Sequence, residues 1–332
     1  MKFEQIISDL KNKVYYPIYV LMGEEPFFID QISDYIEDNL LEESEKSFNL
    51  IISYGKDTDV QTLISYAKRF PMMANHQVII VKEAQNLDKI DDFQSYLENP
   101  LKSTILILCY KYKTLDKRKT FTKSITKHGV LFESNKLYDN QLPGWIANYI
   151  KQKGYSISPK AALLLSEYLG ADLSRIVNEL GKVMLNVPTK TEITAEHIEQ
   201  NIGISKDFNV FELQKAIGNK NIFKANQIIA YFAANPKDNP LVVTISNFYQ
   251  FFSKILVYHS LSDKSRNTVA AALSINPFFV NDYQTAAKNY NSRKLVSIIS
   301  YLREYDLKSK GIDNVSATEG ELLKELLYKI MH

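Results

Sequence analysis

Five short runs of Val, Ile and Leu, separated by amphipathic stretches and followed by a long helical pattern, predict an α/β amino-terminal domain on a parallel sheet with helical domains after it. The runs are Ile18-Tyr19-Val20-Leu21-Met22, Asn49-Leu50-Ile51-Ile52, Val78-Ile79-Ile80-Val81, Ile105-Leu106-Ile107-Leu108 and Val130-Leu131-Phe132. Nearly continuous apolar strands are those covered on both faces, as helices cover a parallel sheet. The helical stretches between them fall at about 27–43, 58–68, 88–98 and 116–127. After Leu142-Pro143-Gly144-Trp145 the pattern turns wholly helical. Ser158-Pro159 supplies an N-cap and a first-turn proline for a helix to Leu169, and Gly170 stops it. Leu173, Ile176, Val177, Leu180 and Met184 recur at helical spacing on the next helix. Breaks at Gly218-Asn219, at 235–240, at Asn276-Pro277 and at Gly311 divide the rest. The expected domains are 1–140, 141–208 and 209–332.

Composition narrows the function. The 332 residues hold 40 basic and 38 acidic side chains, a formal charge of +2. That excludes a protein held to nucleic acid by bulk positive charge. The single cysteine, Cys109, excludes a disulfide framework and reads as a buried thiol. The histidines at 76, 128, 197, 259 and 332 are too dispersed for a local metal motif. The first residues mix charge with apolar positions, unlike a signal peptide, and no run of eighteen apolar residues lacks charge. The expectation is a cytoplasmic protein without a membrane span.

An α/β sheet followed by a small helical lid is the layout of an ATPase module of the AAA+ type, so phosphate chemistry belongs at the first strand-to-helix turn. That turn reads Met22-Gly23-Glu24-Glu25-Pro26-Phe27-Phe28. A phosphate loop needs several glycines, then Lys and Ser or Thr. Here stand one glycine and two carboxylates, which repel a triphosphate. The third strand closes on Lys82-Glu83 rather than on an acidic pair for Mg²⁺. Arg175 occupies the lid position where an ATPase can present an arginine to phosphate, and reads as a structural or interface residue without a phosphate loop opposite it.

The chain resembles the delta subunit family of the bacterial DNA polymerase III clamp loader. The resemblance is carried by residues 19–30 around the first turn, by Phe70-Pro71-Met72-Met73-Ala74-Asn75-His76-Gln77 before the third strand, and by Leu142-Pro143-Gly144-Trp145-Ile146. Residues 170–180, Asn276-Pro277-Phe278-Phe279-Val280 and residues 305–310 continue it to the end of the chain. It implies an ATPase-like fold without a working phosphate loop, no catalytic residues, no cofactor, and ATP bound only by partner subunits. The implied partners are the sliding clamp (beta subunit), the ATPase loader subunits (gamma/tau), delta-prime and, in the assembled complex, primed DNA, with no membrane. The implied task is to bind and open the clamp for loading onto primed DNA, with nucleoid association in the replisome and a carboxy-terminal collar joining the loader.

By the same resemblance the clamp-binding residues are Met72 and Met73, preceded by Pro71, with two methionines where aromatic residues or leucine are frequent. Phe70 reads as a core residue. Read without the resemblance, Phe70, Met72 and Met73 would all plug the underside of the sheet. A second candidate is the basic segment 111–127, where Lys111, Lys113, Lys117, Arg118 and Lys119 are candidate DNA-phosphate contacts and Lys123 and Lys127 follow. The alternative there is a solvated helix face. Residues 24–46 hold nine acidic residues against Lys46, and sequence leaves open whether they pair with the basic segment. Tyr283, Tyr290, Tyr301 and Tyr305 read as helix packing before base stacking. Two other classes fit the fold less well: a small-molecule or nucleotide-binding transferase using the α/β crevice, and a free-standing DNA-binding protein.

Overall fold

The computed structural model describes residues 1–332, which divide into two compact units, Met1–Leu137 and Tyr138–His332. The first boundary lies close to the expected 140; the expected division at 208/209 falls inside the second unit.

The first unit runs α1 (Phe3–Lys11), β1 (Ile18–Gly23), α2 (Pro26–Asn39), α3 (Glu43–Asn49), β2 (Leu50–Tyr54), α4 (Val60–Ala67), β3 (Gln77–Lys82), α5 (Gln94–Leu97), β4 (Thr104–Lys111), α6 (Thr120–His128) and β5 (Val130–Ser134). The five strands form one sheet in the order β2-β3-β4-β1-β5, and every pairing is parallel. This is the parallel α/β architecture that the continuous apolar runs predict. β1 and the body of β3 and β4 are wholly buried, because cores lie on both faces of the sheet. Ile18, Val20, Ile79, Val81, Leu106 and Leu108 face one core; Tyr19, Leu21, Val78, Ile80, Ile105 and Ile107 face the other. Each such aliphatic side chain contributes roughly 1.5–3 kcal/mol by leaving water. The edge strands β2 and β5 are only partly covered.

Two boundaries differ from expectation. The stretch 27–43 is two helices, because Leu40 ends α2 and the Glu42 N–H, bound by the Glu45 carboxylate at 3.0 Å, starts α3. The stretch 88–98 holds a 3₁₀ turn, Ile90–Phe93, and only four α-helical residues.

The second unit comprises α7 (Leu142–Gln152), β6 (Ser156–Ile157), α8 (Pro159–Leu169), α9 (Leu173–Asn186), β7 (Glu192–Ile193), α10 (Ala195–Ile202), α11 (Val210–Gly218), α12 (Ile222–Ala234), α13 (Leu241–Ser260), α14 (Arg266–Leu273), α15 (Val280–Asn289), α16 (Ser292–Ser309) and α17 (Glu319–Met331). It is helical apart from the two-residue parallel pair β6–β7, which the helical pattern does not announce. Ser158 caps α8 through Ala161 N–H at 3.3 Å, and Gly170 ends it at φ +65°, where only glycine is unstrained. On α9 the buried face is Leu173, Ile176, Leu180 and Val183, with Val177 and Met184 at its margin.

Helices α11 to α17 share one core. Phe248, Phe252, Tyr290 and Tyr305 are fully buried in it, and Phe252 meets Tyr290 edge to face at 5.5 Å. Tyr283 is buried as well and Tyr301 half-buried, in agreement with helix packing. Helix α13 is long and apolar enough to cross a membrane by length and composition. Its residues Phe248, Phe251, Phe252 and Ile255 lie in this core, which is the placement of a buried helix in a folded unit. Two ammonium groups close the last helix: Lys220 donates to Met331 O at 2.9 Å and Lys294 to Lys329 O at 3.1 Å.

Candidate functional site

The first turn is closed upon itself. Gly23 has φ +135°, and a Cβ there would lie 2.0 Å from Ser134 O, so no other residue fits. Its N–H donates to Lys113 O at 3.0 Å, and its carbonyl accepts from Tyr112 N–H at 2.8 Å. Glu25 N–H donates to Ser134 O at 3.2 Å, while Ser134 Oγ donates back to Glu25 O at 2.6 Å. The Glu25 side chain is buried and caps α2, accepting from Phe27 N–H at 3.0 Å, and Pro26 has no N–H. A carboxylate thus occupies the positive end of the helix, the place where a phosphate loop holds its anion.

At the end of β3, Lys82 lies 3.1 Å from Glu37 and 3.8 Å from Asp34 on α2, so the position reads as an ion-paired link rather than as a metal ligand. Burial raises the Asp34 carboxyl above its ordinary range, with Lys82 acting in the opposite sense. No group of three or more His, Cys, Asp or Glu side chains is arranged to hold a metal ion. Burial lifts the Cys109 thiol to about 12, which makes it inert. Arg175 lies exposed on α9, and its own N–H is capped by Asp172 at 2.9 Å.

The outstanding surface feature of the first unit is the loop between α4 and β3. Helix α4 is fixed at its start by Asp59, which accepts from Thr62 N–H at 2.9 Å. At its end Ala67 O accepts from Thr104 Oγ1 at 2.8 Å, and Tyr66 O accepts from the buried Gln77 side chain at 2.8 Å. Both roots of the loop are therefore tied to the sheet. Between them the chain turns its apolar side chains outward: Met73 is fully exposed, Met72 is 60% and Phe70 76% exposed, and Pro71 is half-buried. The core expectation for Phe70 is incorrect. Space beneath the sheet is already filled by Ala67, Phe93, Tyr96 and Leu97, and the chain leaves that face after Lys68.

The loop has one internal grip. Asn49, buried at the end of α3, accepts from Met72 N–H through Oδ1 at 2.7 Å and donates from Nδ2 to Met72 O at 2.9 Å. Its second amide hydrogen goes to Glu45 O at 3.1 Å. Met73 follows with φ +53°, a left-handed conformation that costs a residue with a side chain roughly 1–2 kcal/mol. Farther along, His76 meets Tyr15 edge to face at 5.4 Å, and burial lowers its imidazole below the ordinary histidine value.

Three side chains of the basic segment pair with acids distant in sequence and a fourth with a near neighbour. Lys111 is largely buried and lies 2.6 Å from Asp30, so the acidic 24–46 stretch does meet the basic segment at this point. Lys117 pairs with Glu133, Lys119 with Asp91, and Arg118 with Asp116 through Nε at 3.0 Å and Nη2 at 2.9 Å. Lys113 is exposed on the loop between β4 and α6. The ion pairs at 117–119 are exposed and individually weak, whereas Lys111 is built into the fold.

Comparison with known proteins agrees with this organisation. The family described as "DNA polymerase III, delta subunit" matches residues 19–135, and that described as "DNA polymerase III delta subunit, C-terminal domain" matches residues 207–325. DNA polymerase III subunit delta of Bacillus subtilis (strain 168) is 26% identical over 333 residues, 96% of this chain and 95% of the relative. The solved structure of the Bacillus subtilis DNA clamp loader delta protein superposes with a TM-score of 0.53 at 22% identity, covering 99% of both chains, a likeness of fold. The two family matches fall one in each compact unit, and the full-length relative joins them in the same order. The chain therefore belongs to the delta subunit family of DNA polymerase III, a non-catalytic clamp-loader component.

Proposed function

We propose that this chain is the loader subunit that grips and opens the sliding clamp (beta subunit), with Met72 and Met73 entering an apolar pocket on the clamp and Pro71 shaping their approach. One observation carries the reading: two adjacent methionines are held outward on a loop whose roots are fixed to the sheet. Methionine adapts to irregular pockets, and burying both side chains supplies about 3–6 kcal/mol before ordering costs. A loop already ordered keeps those costs small.

The ATPase loader subunits (gamma/tau) and delta-prime bind the carboxy-terminal helices in this reading, and ATP stays with those partners. Support for the latter comes from the first turn, where the N–H groups of Gly23, Glu25 and Phe27 are engaged and Glu25 fills the helix terminus. Primed DNA meets Lys113, Lys117, Arg118 and Lys119 in the assembled complex, which brings the chain to the nucleoid; Lys111 serves the fold instead. Exchange of a weak carboxylate partner for a phosphate makes that interaction salt-dependent and indifferent to sequence.

The test is capture of the purified clamp by Met72→Ala/Met73→Ala. The expected result is loss of capture with unchanged assembly into the loader. Unchanged clamp affinity would overturn the assignment.

A further inference from the structure

We infer that Asn49 is the positioning residue of the clamp-binding tip, holding the backbone of Met72 so that Met72 and Met73 are presented in one fixed orientation. The inference rests on the reading of those methionines as clamp contacts, and the experiment below separates the two. Asn49 belongs to a different element, 23 residues away in sequence, and is only 1% exposed. Its amide takes both backbone groups of Met72, at 2.7 and 2.9 Å, as a neighbouring strand would. These are the protein hydrogen bonds that hold residues 70–76 between their roots at Ala67 and Gln77.

The side-chain type matters. An in-plane acceptor and donor at this reach are what asparagine offers; aspartate keeps the acceptor and loses both donors, and alanine loses all three bonds. Fixing both sides of the Met72 α-carbon sets the direction of its own side chain and of the peptide entering Met73. Met73 then sits at φ +53°, a conformation an unrestrained methionine leaves for the right-handed or extended regions. With the grip removed, the loop populates several conformations, and affinity falls by the fraction that still matches the clamp.

The experiment measures clamp binding by surface plasmon resonance and amide hydrogen exchange by NMR on the full chain, using the purified sliding clamp of the same organism as probe. Asn49→Ala, Asn49→Asp, Met73→Ala and Asn49→Ala/Met73→Ala are compared with Met72→Ala/Met73→Ala. The expected result for Asn49→Ala is a roughly tenfold rise in Met72 amide exchange and a roughly fivefold to tenfold loss of clamp affinity, with exchange in β1 and β4 unchanged. Asn49→Asp keeps the Met72 N–H acceptor but sets a buried carboxylate oxygen against the Met72 and Glu45 carbonyls, so it should lose at least as much affinity as Asn49→Ala; if either variant fails to fold, the other carries the test. Sub-additivity is the decisive sign, since the Asn49 effect should shrink when Met73 is already alanine. Parent-like clamp affinity of both Asn49 variants, alongside lost binding by Met72→Ala/Met73→Ala, would overturn the positioning role and leave the clamp reading standing. Parent-like affinity of the double methionine variant would overturn the clamp reading itself.

Discussion

The loop between α4 and β3 and the helices around α13 are both rich in large apolar residues, yet they use them in opposite ways. Around α13, Phe248, Phe252, Tyr290 and Tyr305 are fully buried and hold the second unit together. In the loop, Phe70, Met72 and Met73 are exposed, and the backbone is held instead by buried polar groups: Asn49, Gln77 and Thr104. Apolar content alone therefore does not separate core from contact surface. The polar partners of the backbone do, because they show which segments are ordered without burying their own side chains.

This contrast can be broken from either side. The largest effect belongs to the buried region: Phe252→Ala should lower unfolding stability by about 3–5 kcal/mol, measured by denaturant titration, while molecules that remain folded keep their clamp affinity. Stability near that of the parent would show that the aromatic core is not what holds the second unit. An intermediate effect belongs to the basic segment. Lys117→Ala/Arg118→Ala/Lys119→Ala should leave clamp binding intact and flatten the salt dependence of loading onto primed DNA, by up to about 0.9 in log–log slope for each phosphate no longer neutralised. An unchanged slope would return these residues to a solvated, ion-paired surface.

The smallest effect concerns His76 at the base of the loop. Burial depresses its folded-state value below 6.5, so the folded chain binds fewer protons than the unfolded chain. The stability from this group is present above pH 6.5 and is lost as the pH falls through its depressed value. Thermal unfolding followed on the acid side of 6.5 should show a decline that is shallower in His76→Gln; identical profiles would contradict it.

Much of the first unit was legible because β1, β3 and β4 are buried on both faces, which leaves continuous apolar runs in the sequence. The acidic character of the first turn was legible too, whereas its closure onto Ser134, Lys113 and Tyr112 was not. What escaped were features made by residues far apart. Asn49 looked like the start of a strand, yet its amide serves Met72 in another element. Phe70 looked like core because nothing local says that Tyr96 and Leu97 already fill that space. The pairing of the basic segment stayed open in the sequence because Asp30, Asp91 and Glu133 reach it only in the fold. The β6–β7 pair is two residues long on each side, too short for any periodicity.

In the proposed function, exposed methionines on an ordered loop, rather than any catalytic group, grip the clamp. Its most direct test is equilibrium binding of the purified clamp to the parent chain and to Met72→Ala/Met73→Ala, with unfolding stability measured on the same samples. Clamp affinity should fall on the order of 100-fold or more, with stability within about 0.5 kcal/mol of the parent. Equal clamp affinity for the two proteins would contradict it.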